Sequence, residues 1–590
     1  MFASVSQPSL SSSSYTLLQP LDEVELAIFE SKMASYSDHD VVSTPDLDDL
    51  LEKHGLEVGA DQHLCWSADS RYHPRNWHSN RKLYDAGLII MLEMLISSCV
   101  DSRLTIDENG RTLMSTVGSA VSDEARLEYG YEKTLGYFAF TSAFLLGEGI
   151  GGIFLPPISE SFGRKLVYVA APLLCSVFCV LVAAVPPQMN GSVACLIFAR
   201  FAAGMVSSVP ATVAPGSLED MFDEKQRIWT VAAWTTASNV GVLFGPIYGS
   251  YITRYLGWRW VFWISAVIMA VCFVLTLFLR ESRSTRLLQQ KLDEILALTK
   301  TSSAGAAPLR IHNPDAVPSL NAFLTDTLFR PLHLLFTEPI VILCSALNAI
   351  SFAMIYGLTE GLTIVYSSPS YGLADAHTTS SLAFLPLILG LFFSLPFRAV
   401  DARRFRELNA DGVPPERKLT SFAVAVPALA LGFWVFAWTI PPLVPQAPMW
   451  VSMAALVPVG FAINDLDSVL CGYMADVYSM YAASAFSALS LLRALCAAAF
   501  PLFAEPMFER MGANAAASVL AAIATVFCVS PWVLLRYGPA LRQRSAFAEY
   551  SAAMSEKTMA GGAGAGASAG SSTETLGVAG GVDQMAMVRV

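Results

Sequence analysis

Ionisable side chains sit inside long apolar runs at a few places in this chain, and those places are where chemistry is to be sought. Glu93 lies in LIIMLEMLISS, Glu148 in AFLLGEGIGG and Arg200 in LIFARFAAG. Further along, Glu338 and Glu360 belong to the run 338–366, and INDLDS carries Asn464, Asp465 and Asp467. A charge at the centre of a bilayer costs about 2.5–3.5 kcal/mol on insertion scales, so it calls for a partner, a water-filled cavity or a task. A carboxylate in such a place can exchange a proton or hold a cation. Glu93, Glu148, Asp465 and Asp467 are therefore the candidates for proton coupling or substrate binding. Residues two apart on a helix point about 200° apart, so Asp465 and Asp467 are expected to face different partners. Glu338 precedes Pro339, a residue suited to a first helical turn, and is expected to be structural.

Other chemistries find no support. The eight histidines are scattered, without the H-x-x-x-H spacing of a metal site. No GxxxxGK[ST] loop is present, which argues against an ATP-driven pump. Nine of the ten cysteines lie in or beside apolar runs, as small hydrophobes do, and suggest no disulfide framework. An enzyme, a cofactor and a metal are thus not expected. The net charge of -12 is mostly a terminal property, because residues 1–70 hold thirteen Asp/Glu against two Lys. It points to a solvated arm, and no nucleic-acid partner is expected.

The elements that must position these residues are membrane spans. Hydrophobic residues make up 54% of the 590 and charged ones 15%, and the mean hydropathy is +0.49; a soluble chain carries about 25% charged residues. About 20 apolar residues cross a bilayer. Twelve runs qualify: 84–100, 135–158, 166–185, 192–215, 228–252, 258–279, 338–366, 380–400, 419–440, 449–473, 482–504 and 514–535. Arg and Lys gather before the first run, between the eighth and ninth, and after the twelfth, whereas 186–191, 367–379 and 441–448 have none. Both termini are therefore expected on the cytoplasmic side; the charges of 101–134 run against that pattern. The divisions expected are a disordered acidic arm over 1–72, a six-helix half over 73–279, a cytoplasmic connector over 280–333, a second half over 334–547 and an Ala/Gly-rich disordered tail over 548–590. Residues 101–114 (DSRLTIDENGRTLM) separate MLISSCV from STVGSAV, and are read as an insertion or a retained intron.

Short motifs lie at the ends and in the middles of these runs. PPISESFGRK joins the second and third, with Glu160, Gly163, Arg164 and Lys165. ARFAAG holds Arg200 and Gly204, with LEDMF later. SNVGVLFGPIYGSYI places Gly241, Gly245 and Gly249 four apart, with Pro246 between, a spacing of glycines that allows close backbone packing, and WRWVFW follows as an aromatic anchor. Taken in order, they resemble the fungal drug:proton antiporters of the major facilitator superfamily over residues 73–547. That family typically has GPLSE-x-x-GRR in the first loop; here Pro156 replaces a Gly and Glu160 keeps the acid. INDLDS departs from the family, which is usually apolar there. The resemblance implies an all-α integral membrane protein of the major facilitator fold, with twelve transmembrane helices in two six-helix halves. It further implies a gating loop at Glu160, Gly163, Arg164 and Lys165, and a proton-transfer modulator at Arg200. The antiporter motif at Gly241, Gly245, Pro246 and Gly249 implies export. The expected partners are a small-molecule substrate, protons and the lipid bilayer. The protein is expected to be a monomer, in the plasma membrane or alternatively the vacuolar membrane.

Overall fold

The apolar runs are helical, as they must be in hydrocarbon, where each N–H and C=O has to be satisfied within its own segment. The computed structural model describes residues 51–58, 64–67, 69–100, 128–130, 135–136, 138–299, 329–366, 381–407, 419–444, 448–478, 482–543 and 545. The first half consists of α1 (Ser79–Val100), α2 (Ala143–Phe162), α3 (Arg164–Ala184), α4 (Ser192–Thr212), α5 (Glu224–Leu256) and α6 (Trp258–Thr276). The second consists of α7 (Pro339–Tyr366), α8 (Phe384–Phe392), α9 (Phe422–Thr439), α10 (Leu456–Val477), α11 (Ala482–Met511) and α12 (Ala513–Phe527). Beyond short breaks α4 resumes as Ala214–Met221, α8 as Ser394–Glu407 and α12 as Ser530–Gln543. A π-helical turn, Phe138–Ser142, leads into α2, and the connector forms the helix Ser284–Thr299.

Among the described residues, ten of these helical runs are long and apolar enough to cross a membrane. α1 and α5, 22 and 33 residues long, stand where the first and fifth spans were expected. α1 starts before residue 84, so at about 1.5 Å per residue it reaches about 33 Å without drawing on anything beyond Val100. Residues 101–114, the suggested insertion, lie outside the described residues, as does the tail 548–590. Within 1–72, expected to be disordered, β1 (Leu56–Val58) and β2 (Leu64–Trp66) pair antiparallel and bury Leu56 and Leu64.

The two halves repeat one packing plan. α1 lies on α5, α2 on α4, α3 on α4 and α6; six helices later α7 lies on α11, α8 on α10, α9 on α10 and α12. The halves meet through α2 with α11 and α5 with α8. One device closes the equivalent pairs. A Cβ on Gly204 would strike the Phe144 carbonyl, and those on Gly147 and Gly151 would strike the carbonyls of Phe201 and Met205. In the second half Gly390 lies against the Val457 carbonyl and Gly460 against that of Leu387. Only glycine permits such backbone contact. The outer faces stay apolar: Val267, Val271 and Val274 on α6 are exposed, the arrangement that lipid requires.

Candidate functional site

A small cavity of about 30 Å³ lies between the halves, lined by Glu93 of α1, Glu148 of α2, Ser238 of α5, Phe352 and Tyr356 of α7 and Arg493 of α11. The close approach of α5 to α1 helps to place Glu93. A Cβ on Gly241 would meet the Met94 carbonyl and would lie 2.9 Å from the Ser97 Cβ. With the backbones this near, Ser238 donates to Glu93 Oε1 at 2.7 Å, and Ser97 donates to the same oxygen at 3.4 Å. Glu93 is 2% exposed, and its Oε2 has no hydrogen-bond partner among the described residues. Glu148, by contrast, is paired with Arg493 across the halves at 3.3 Å, and the guanidinium stands 4.7 Å over the Phe352 ring. Among the described residues Glu93 makes no ion pair. The arrangement leaves Glu93 without an ion pair of its own beside a cavity that Arg493 also lines, able to take a proton or a positively polarised group.

INDLDS fans out as its spacing requires. Asp465, fully buried, pairs with Arg398 at 2.5 Å; the same guanidinium reaches Asp401 at 3.4 Å and donates to Ser421. Asp467 points elsewhere and accepts from Asn348 Nδ2 at 3.0 Å. The two acids therefore do not share a cavity. Asn464 reaches a third direction, toward α5. Glu338 accepts from the Tyr478 hydroxyl at 3.0 Å beside the start of α7 at Pro339, a structural placement.

At one end of the bundle the loop after α2 is built around Gly163, whose φ of 101° suits glycine. Its missing side chain also leaves room for Glu281: a Cβ there would lie 2.6 Å from Oε2. Glu281 accepts from the backbone N–H groups of Arg164 and Lys165 at 2.9 and 3.0 Å, and so caps α3. Arg164 pairs with Asp220 at 2.7 Å, and Arg283 reaches the same acid at 3.4 Å. Glu160 and Lys165 are half-buried beside them. Close by, Arg227 bridges the halves, 3.1 Å from Glu219 and 3.3 Å from Asp476.

Arg200 is placed away from these acids' ion pairs. It donates through Nε and Nη2 to the Phe140 carbonyl at 3.0 and 2.6 Å and stands 4.6 Å over the Phe144 ring. A π-turn disturbs the regular ladder and leaves a carbonyl in need of a donor; Arg200 supplies one. Gly245, Pro246 and Gly249 are buried along α5, where the Tyr248 hydroxyl ties the helix to the Ser98 carbonyl of α1 at 2.9 Å.

Sequence reasoning missed Arg493, Arg398 and Glu281. The first two carried a usable signal, since each is an arginine in or against an apolar run. Glu281 carried none, because a polar connector is where charges ordinarily lie. Tyr356 of α7, a tyrosine inside an apolar run, also lines the cavity.

Comparison with known proteins follows the same lines. The family model described as Major Facilitator Superfamily matches residues 111–501. The chain is 31% identical over 427 residues to the MFS-type efflux pump MFS2 of Trichophyton rubrum, covering 71% of this chain and 68% of that one. It is 30% identical over 500 residues to the major facilitator superfamily multidrug transporter mdrA of Aspergillus fumigatus, covering 84% and 77%. Among solved structures it resembles the proton:xylose symporter XylE, with a TM-score of 0.51 and 14% identity, over 78% of this chain and 97% of that one; this likeness concerns the fold alone.

Proposed function

The chain belongs to the major facilitator superfamily, and from that premise we propose that it exports a small organic molecule, a drug or secondary metabolite, in exchange for protons. The two halves rock about the cavity between them, exposing it to one side and then the other. The observation that carries this reading is Glu93: a buried carboxylate, held through one oxygen by Ser238, with the other oxygen partnerless beside the cavity. Protonation there changes the charge of the inter-half cavity by one and so biases the equilibrium between its two openings. Export is favoured by the Gly241 to Gly249 motif, and by the names of the relatives, an efflux pump and a multidrug transporter. Asp465, held by Arg398 of the second half, and Asp467, held by Asn348 and Asn239, support the bundle in this reading, and Arg200 holds the entry to α2. The distribution of Arg and Lys supports cytoplasmic termini, and an export role suits the plasma membrane.

The test is flux in sealed vesicles bearing the full chain. With an imposed pH gradient, a fluorescent drug should move opposite to protons. Movement in the same direction would make the protein an uptake transporter, and no gradient-dependent flux of any probe would make it a sensor on a transporter fold.

A further inference from the structure

Beside the cavity, and not lining it, runs a seam of buried polar side chains that joins the halves. Its centre is Asn464 of α10. The Asn464 amide donates to the Thr236 hydroxyl of α5 at 2.8 Å, to the Ser394 hydroxyl beyond α8 at 2.7 Å and to the Leu391 carbonyl at 3.3 Å. Its Oδ1 accepts from the Asn239 amide of α5 at 3.1 Å. One turn further on, the hydroxyls of Thr235 and Ser468 meet at 2.5 Å. All six side chains that make the seam are more than nine-tenths buried.

A buried amide is stable only while its partners stay in place, since each group left unpaired in a dry interior carries its desolvation cost. Apolar residues at these positions would tolerate sliding of α5 against α10; Asn464 does not. It is satisfied in one relative placement of the halves and loses both α5 partners together when they part. The neighbours of the seam matter too. Ser238, which holds Glu93, precedes Asn239 on α5, and Asn239 also lies against Asp467. Asp465, which follows Asn464, pairs with Arg398, one turn beyond Ser394.

We propose that Asn464 is a latch: a positioning residue that holds α5 to α8 and α10 in this conformation, and through which a change at the Glu93–Ser238 contact reaches the interface of the halves. The task given to the latch rests on the alternating-access reading above; the contacts do not.

Hydrogen–deuterium exchange on the purified full chain in lipid nanodiscs tests it without a substrate. The variants are Asn464→Leu, which keeps the branched shape with added bulk and removes the bonds, Asn239→Ala on the opposite half, and Asn464→Ser, which retains a hydroxyl. In Asn464→Leu and Asn239→Ala alike, exchange should rise on the order of tenfold in 227–239 and 391–401, the loss expected for one or two net hydrogen bonds. It should stay near wild type in 164–184 and 258–276, and Asn464→Ser should recover part of the protection. Unchanged exchange in both main variants would overturn the proposal. So would a rise spread evenly over all helices, the mark of a general core defect. Should Asn464→Leu not fold, Asn239→Ala decides. Vesicle flux separates the two readings: a local rise in a protein without flux leaves the latch standing and removes transport, and flux without the local rise does the reverse.

Discussion

Glu93 and Asp465 are both buried carboxylates in apolar helices, and the structure gives them opposite surroundings. Asp465 is locked by a guanidinium at 2.5 Å inside the second half. Glu93 is held by two serine hydroxyls on one oxygen, its other oxygen has no hydrogen-bond partner among the described residues, and the residue lines a cavity between the halves. The helices of the two halves follow one packing plan, yet their polar chemistry does not repeat. A fold can therefore be duplicated without duplicating its polar chemistry, and in the proposed mechanism the acid without an ion pair beside the cavity is the one that takes the proton.

That contrast can be broken by mutation. The largest effect is expected for Glu93→Gln, which should abolish accumulation against a gradient while leaving gradient-independent substrate exchange in vesicles. Asp465→Asn should instead act on the fold. It strips one partner from a buried pair whose loss costs about 3–5 kcal/mol in general, and the low end applies because Asp401 still faces Arg398. A fall in the melting temperature in detergent checks it; an unaltered melt with lost coupling would exchange the roles of the two acids.

The repeated packing plan predicts a smaller and symmetric loss. Gly204→Val and Gly460→Val should each destabilise by about 1–3 kcal/mol, because both push a side chain into a facing carbonyl. Equal shifts in thermal melts would sharpen the equivalence of the α2–α4 and α8–α10 pairs. Least of all, Arg227→Gln should cost at most about 1 kcal/mol, since its two ion pairs are partly solvated. The same melts would show it.

Much of this was legible in the sequence. Apolar runs of membrane length mark the helices because burial of the backbone demands it, and the ordered motifs around Gly163, Arg200 and Gly241 mark the family. Two six-helix halves were expected from the count of spans and the connector, but their common packing plan was not legible, because it lies in which helices touch and in glycines facing carbonyls, and neither requires similar sequences. The acids of INDLDS could be sent apart by helical geometry alone. Which acid was free could not, because the deciding partners, Arg398, Arg493 and Ser238, are 67, 345 and 145 residues away from theirs. Arg200 shows the same limit: its partner is a carbonyl exposed by a π-turn that no residue pattern announced.

The most direct test of the assignment to Glu93 is the proton itself. Full-length protein is reconstituted in liposomes holding a pH-sensitive dye, and a substrate gradient is imposed in the absence of a pH gradient. Wild type should move protons opposite to the substrate, Asp465→Asn should do so in proportion to its folded fraction, and Glu93→Gln should give no proton signal while substrate still equilibrates. A proton signal from Glu93→Gln equal to that of wild type would contradict the account.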